Sequence, residues 1–491
     1  MDMESLLGSQ NSIKYLVDQY MIYESQPKND LLDRQDELYE RKGILSDLDS
    51  KLSALQTKAE RLSDPITDHF GSRSVSTSDS EVMTASASDT ASLGNHAITI
   101  DRLAISDTRV SQQYTDTDTS FSGFVADQTF MIEIGNPTDE DPNNRRNLAI
   151  TVSAADLALG NDEVLLQIAD AINSAMYVAV TAETIGSEEQ ARASVVSEEN
   201  GVSRLVLRSD SSGYTFRMDF TDSADGLLSA LGVTNAAQSS GTSGGYITEV
   251  GTSATTSLLS SKLNIDGLDF YRDSNNVTDA LTGVTLKLMD TTVSTQTVTV
   301  VADVENVKSE VNGLLDAYNE AMSYLRENTQ MDPNTYERGV LADEVTYRAI
   351  TYDLRNYTMN MVSGVSNPEY TRLFNIGIEA DESGLLSITD SDKFETAIET
   401  NSSYVSDIFN ASDGFATQLD SYLEKYVKTS GSIDLSKNNI DDQLTSLTSR
   451  ISLMDDILSR RESQLTQQFT SLQEMMYNLE GQRSFLSSFG L

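Results

Sequence analysis

Few residues in this chain have the type and spacing for covalent or acid–base chemistry. The run Gly241-Thr242-Ser243-Gly244-Gly245 fits the Gly-x-Ser-x-Gly pattern of a nucleophile elbow, where a serine hydroxyl sits on a sharp strand-to-helix turn. That geometry needs a strand before the serine and a helix after it, and the Ser/Gly-rich flanks offer neither. An attacking serine also needs a base, and the chain has two histidines, His69 and His96. His69 falls in a post-helix turn beside Pro65 and His96 opens a strand, so both read as surface residues. The acidic run Asp139-Glu140-Asp141 offers the oxygen ligands that calcium takes, yet it lacks the spaced ligands and central glycine of a calcium loop, and Pro142 follows directly. It reads as a solvated loop. Neither a phosphate-binding glycine loop nor a metal-ligating His/Glu helix motif occurs. The sequence therefore assigns no catalytic, cofactor-binding or metal-binding residue, calls for no cofactor, and reads as a non-enzyme.

Composition narrows the partners. The 491 residues carry 34 basic and 76 acidic side chains, a net charge of −42. Such a surface repels a phosphate backbone, and the basic pairs Arg145-Arg146 and Arg460-Arg461 are not the clustered stripe that nucleic acid requires. Anionic membranes are disfavoured for the same reason. Cysteine is absent, which excludes disulfides and thiolate sites and leaves packing to hold the fold. No run of about 18 apolar residues exists, so no membrane insertion is expected. Asp2 and Glu4 stand where a cleavable signal would be basic. At roughly 150 residues per domain, the length predicts about three folding units.

Long helical repeats at the two ends take the place of a chemical site. Leu31, Leu38, Leu45 and Leu52 recur every seven residues, with Leu48, Leu55 and Leu62 interleaved, and this is a heptad seam. Arg34 and Arg41 weaken its earlier part, and Pro27 predicts a break from the stretch Ile13 to Tyr23. At the other end Leu444, Ile451, Leu458, Leu465, Leu472, Leu479 and Leu486 hold one heptad position without interruption. Their companion series runs Ile440, Leu447, Met454, Arg461, Gln468, Met475, Gln482, Phe489, so its polar members lie distally, where they restrict register. Burying seven Leu/Ile side chains is worth about 10 to 20 kcal/mol, while fixing each backbone residue costs roughly 1 to 2 kcal/mol, so the seam needs a partner.

Between the ends lies a Ser/Thr/Gly/Asp-rich centre with period-two alternation. Strands are predicted in Ala97 to Leu103, Phe130 to Ile134, Leu148 to Val152, Tyr177 to Thr181, Leu205 to Arg208 and Tyr214 to Phe220. One helix interrupts them, with Asp162 as N-cap and Val164, Leu165, Ile168, Ala169 and Ile172 on one face. After a flexible junction at Ala236 to Gly245, strands resume at Leu263 to Phe270, Val284 to Leu288 and Val298 to Val301. Helical periodicity returns from Val304, with helices around Tyr347 to Met361, Lys393 to Phe409 and Phe415 to Val427. The fold class is α+β, elongated and multidomain. It divides into an N-terminal coiled-coil stem (1–70), the first part of an inner β domain (71–114), an outer β-rich domain with one helix (115–254), the second inner part (255–303), a helical domain (304–430) and a C-terminal coiled-coil helix (431–491).

Several motifs resemble the flagellar hook-associated protein 2 family, the caps of bacterial flagellar filaments. Ser12-Ile13, Leu16-Val17, Met21, Glu24 and Pro27 are similar to its opening helix. Asn264-Ile265-Asp266-Gly267, Ser274 to Ala280 and Gly283-Val284-Thr285-Leu286 resemble its most specific signature, which Asp303 and Tyr318-Asn319 continue. Ala169-Asp170-Ala171-Ile172-Asn173 resembles an insert shared by flagellins and caps. Gly377-Ile378 to Ile388, Ile408-Phe409 and Arg461 to Leu486 are similar to its later helical parts, while Lys28 and the terminal Phe489-Gly490-Leu491 depart from it. The resemblance implies a homo-oligomeric ring at the filament tip, beneath which flagellin folds and inserts. It also implies partners among flagellin, hook-filament junction proteins and a cytoplasmic export chaperone, and export by the flagellar type III route without a cleaved signal. The leucine and isoleucine series would be the partner-binding residues. Competing readings are a tip adhesin whose outer β unit takes host or surface glycans, and a hook-filament junction or flagellin-like structural protein.

Overall fold

The computed structural model describes residues 10–64, 66–135, 145–238, 240–332 and 335–488. Pro65, the acidic run at 139–141 with Pro142, the first nine residues and Phe489-Gly490-Leu491 lie outside them. The chain forms two compact units, Met1–Phe70 with Val304–Leu491, and Gly71–Asp303. The fold is α+β, with a long C-terminal helix and β-rich domains.

The first unit opens with helices α1 (Gln10–Glu24) and α2 (Gln26–Ser63). The break expected at Pro27 falls at Ser25, because proline fits the first turn of α2, where its missing N–H would be unpaired anyway. Along α2 the buried side chains are Leu38, Leu45, Leu48, Leu52, Leu55, Ala59 and Leu62, the two interleaved heptad series.

The second unit is built from antiparallel sheets. Strands β1 (Arg73–Thr77), β2 (Met83–Ala87), β3 (Gly94–Arg102), β4 (Ser106–Val110), β5 (Tyr114–Thr115), β6 (Gln128–Ile134) and β7 (Arg146–Val152) lead to helix α3 (Asn161–Thr181). Then follow β8 (Ala191–Glu199), β9 (Val202–Ser212), β10 (Asp219–Thr221), β11 (Gly245–Tyr246), β12 (Ser261–Ile265), β13 (Leu268–Arg272), β14 (Asn276–Leu281), β15 (Val284–Leu288) and β16 (Gln296–Ala302). The sheets β1-β16-β3-β12-β13 and β14-β15-β2 share one core, in which Ile98, Ile100, Leu263 and Val298 meet Met83, Val284 and Leu286. A second core joins β10-β6-β7, the sheet around β9, and α3. The β12–β13 hairpin turns on Asp266 and Gly267, both at positive φ (51° and 90°), as a two-residue primed turn demands. Asp266 also accepts from the Ala97 N–H at 2.8 Å and meets His96 Nδ1 at 2.7 Å, which gives His96 a structural role.

Four expectations for this unit need correction. Tyr177 to Thr181 is the last turn of α3, not a strand, because the face that buries Val164, Ile168 and Ile172 continues through Met176 and Ala179 and overrides the strand preference of its valines. Gly160, not Asp162, is the N-cap; Asp162 and Glu163 sit in the first turn, favourably placed against the helix dipole. Tyr214 to Phe220 begins as a 3₁₀ turn at Tyr214–Phe216 after Gly213 (φ 96°), and only β10 is strand. The junction Ala236 to Gly245 runs into β11, and β4, inside the segment assigned to the inner domain, pairs with both β9 and β11. Among the described helices α3 alone has the length and composition of a membrane span, yet its buried face fills the second core.

The chain then returns to the first unit through α4 (Val304–Thr329), α5 (Val345–Met359), the hairpin β17 (Ile378–Ala380) and β18 (Leu386–Ile388), α6 (Ser391–Asn410), α7 (Phe415–Val427) and α8 (Ser432–Ser488). Helix α4 lies against α2, burying Val307, Val311, Leu314, Tyr318 and Leu325. Phe70 stacks on Phe409 at 5.0 Å. At the same end Arg61 grips Glu310 through two bonds of 2.8 Å. These bonds hold the Glu310 carboxyl below its ordinary value, against the opposing effect of burial. A depressed folded pKa means that the contribution is fully present above the unfolded pKa of about 4.3 and is lost as pH falls through the lower folded value. We therefore expect Arg61→Met to flatten the acid limb of the stability profile of this unit, measured by urea unfolding across pH. An unchanged acid limb would show that the pair contributes nothing there.

Candidate assembly surface

The stem is built by α1 and α2 running antiparallel to α8. A ladder of polar contacts fixes the register, stepping by seven residues on both partners: Lys42 to Asp441 at 2.5 Å, Gln35 to Thr448 at 3.1 Å, Lys28 to Asp455 at 2.5 Å. Lys437 to Asp49 (2.7 Å) starts the ladder and Arg461 to Glu24 (3.2 Å) ends it. Apart from Lys437–Asp49, which is largely buried, the rungs are exposed enough that their worth lies in register more than in energy. The two terminal heptad series are therefore each other's partner in this part of the chain.

Burial along this seam decays with distance from α4 and α7. Leu38, Leu45 and Leu52 are buried on α2, as is Leu444 on α8, while Leu31, Ile451 and Leu458 are half-buried. Further out a small cluster closes the seam once more: Leu465 is buried against Ile13 and Val17 of α1, flanked by Met21 and Phe469. Tyr20 adds its ring 6.0 Å from that of Phe469. Beyond it Leu472, Leu479 and Leu486 are 44%, 56% and 53% exposed. Met475 of the companion series is exposed as well, as are Tyr477 and Phe485. In a helix of 57 residues, about 86 Å long, the distal third thus presents an apolar stripe to solvent.

Sequence reasoning missed two parts of this surface. Phe469 and Tyr20 lie off the heptad positions, and only the paired helices bring them together. Leu453 and Ile457 are exposed on a different flank of α8, where no seven-residue repeat marks them. The candidates for catalysis do not converge. The Ser243 hydroxyl donates to the Ser240 carbonyl at 3.0 Å and accepts from the Ser240 N–H at 3.0 Å, so it closes a local turn. His96 is occupied by Asp266, and His69 lies in a 3₁₀ turn of the other unit. No group of three or more metal-ligating side chains occurs among the described residues.

Two family models, described as the N-terminus and the C-terminus of flagellar hook-associated protein 2, match residues 9–107 and 260–481, together more than half of the chain. The chain belongs to the flagellar hook-associated protein 2 family. Among relatives bearing that name, the Salmonella typhimurium protein is 31% identical over 46% of this chain and half of its own length. The B-type and A-type proteins of Pseudomonas aeruginosa are each 25% identical, over 88% and 95% of this chain and 85% and 92% of their own lengths. Among solved structures, the D1-D2-D3 domains of the flagellar cap protein FliD from Escherichia coli superpose with a TM-score of 0.58 at 26% identity, covering 81% of this chain and 99% of that one. The family is one of structural flagellar cap proteins. The family models leave residues 108–259 unmatched, the span that holds most of β4, all of β5 to β11, and α3.

Proposed function

We propose that the chain is a structural, non-enzymatic cap at the distal end of the bacterial flagellar filament, a homo-oligomeric ring that promotes flagellin folding and insertion and prevents its loss. The observation that carries this reading is α8, locked antiparallel to α1 and α2 and then continuing with Leu472, Leu479 and Leu486 exposed. An apolar stripe of that kind is a partner face. Copies of this chain, flagellin, the hook-filament junction proteins and an export chaperone are the partners it would take in turn. Export by the flagellar type III route would place the chain outside the cell, at the filament tip. We assign the α1–α2 and α8 seam to the stem, 304–430 to the helical domain, and β4 to β11 with α3 to the outer domain, whose ends we set at Ala104 and Leu259.

Electron microscopy of the purified chain tests the reading, with closed rings as the expected image. Open filaments would overturn it in favour of a flagellin-like protein. Deleting the outer domain should spare ring formation, and deleting 448–488 should abolish it. If the outer-domain deletion alone removes the rings, the division of labour is wrong.

A further inference from the structure

Three asparagines make the same pair of bonds. Asn173 on α3 donates to the Ala193 carbonyl at 2.9 Å and accepts from the Ala193 N–H at 2.9 Å. Asn319 on α4 does the same to Leu386, at 2.8 Å and 2.7 Å. Asn275, between β13 and β14, does it to Ala104, at 2.9 Å and 2.7 Å. Each carboxamide offers one main-chain residue the donor and acceptor that an adjoining strand would offer.

For Asn173 and Asn319 the direction of those main-chain groups is decisive. In an antiparallel strand both groups of a residue point to one side, and the side alternates from residue to residue. The Asp210 N–H donates to the Gln190 carbonyl at 2.9 Å, so even-numbered residues of this stretch face β9. Ala193 consequently faces outward, to the side of β8 on which no described strand pairs. In the small hairpin, Thr389 donates to Gly377 and Asp381 to Leu385, both at 2.9 Å, so Leu386 likewise faces away from β17. Both asparagines therefore sit at strand edges on which no described strand pairs, and an unpaired edge is a template for pairing with another chain.

We infer that Asn173 and Asn319 are edge guards, side chains that stand in for a missing strand and close β8 and β18 against strand addition by a second copy of this chain. Symmetry favours that occupant, since two identical open edges pair isologously about a twofold axis. The rest of β8 would permit it: Val195 is half-buried and Val196 is 42% exposed, so the edge is apolar at its middle, while Arg192, Glu198 and Glu199 discourage pairing only near its ends. With Ala193 taken, the outward groups of Ala191 are separated from those of Val195, and an incoming strand loses a continuous ladder. Asparagine is required because aspartate would keep the acceptor for the Ala193 N–H but set a negative oxygen against its carbonyl.

The test is residue-resolved amide exchange of the full chain at low and high concentration. In the parent, Ala193 is protected and neither Ala193 nor Val195 responds to concentration. In Asn173→Ala we expect Ala193 to exchange about tenfold faster when dilute, and both amides to become protected when concentrated. Because the readout is local to β8, ring formation through the stem does not mimic it. Adding Val195→Pro, which removes an outward N–H, should abolish the concentration effect. Should Asn173→Ala lose its fold, Asn173→Asp carries the same test through the concentration dependence of Val195. The inference is overturned if a folded variant shows no concentration-dependent protection at Val195, or if the concentration-dependent protection of the Ala193 amide in Asn173→Ala survives the addition of Val195→Pro.

Discussion

Replacing Leu472, Leu479 and Leu486 together by Ala is expected to weaken assembly of the purified chain severely while leaving the unfolding midpoint of the helical unit nearly unchanged. All three are about half exposed, so truncation in the free chain should cost no more than ~0.5 kcal/mol per site. In an assembled stem each would lose roughly 0.8 to 1.5 kcal/mol, the burial of the half still exposed, and three such losses weaken association by about fifty- to two-thousandfold. Leu48→Ala is the converse control. Leu48 is fully buried on α2, so its truncation should remove about 2 to 5 kcal/mol of stability while leaving the distal stripe intact. Sedimentation and chemical unfolding of the two variants separate the roles. A triple variant that sediments like the parent would show that the stripe is not an assembly face.

The heptads were legible because a seven-residue repeat survives any detail of packing: it requires only that one side of a helix be covered. What covers it was not legible. The same unbroken series runs from Leu444, buried within the helical unit, to Leu486, exposed, and nothing in the spacing separates the two ends. The separation comes from α1 and α2, whose side chains reach as far as Leu465 and Phe469. In the β unit the strands that alternate cleanly, such as β6 and β7 with every second residue buried, were readable. Tyr177 to Thr181 was not, because β-branched residues at the end of a buried helix look like a strand until the helix face is traced back to Val164. The placement of β4 depends on pairing with β9, about 100 residues later, a contact that local pattern does not encode. Asn173, Asn275 and Asn319 were visible as members of family-like motifs. Their shared bonding to main chain was not, since polar residues in turns and helices ordinarily imply solvent.

Asp107→Ala should be among the most damaging single substitutions in the β unit. Asp107 is fully buried and holds Arg109 Nε at 2.9 Å and Nη2 at 3.3 Å, and it accepts from the Met218 N–H at 2.8 Å. Arg109 in turn donates to the Met218 carbonyl at 3.2 Å and lies 5.5 Å from the ring centroids of Phe220 and Tyr246. This pair ties β4 to the residue preceding β10 and to β11, where three sheet segments of the outer core converge. Removing one partner leaves an uncompensated buried guanidinium, at a cost of about 3 to 5 kcal/mol. Replacing both partners by apolar residues, Asp107→Leu with Arg109→Met, should cost less than the single change, because no charge is then stranded. The chain has two units and will not unfold in one step, so the reading must be local. Hydrogen exchange in β4 and β9 should rise steeply in Asp107→Ala while α2 and α4 keep the protection of the parent. Equal damage from the single and double variants would mean that the pair acts through its shape in the core, and not through its charge.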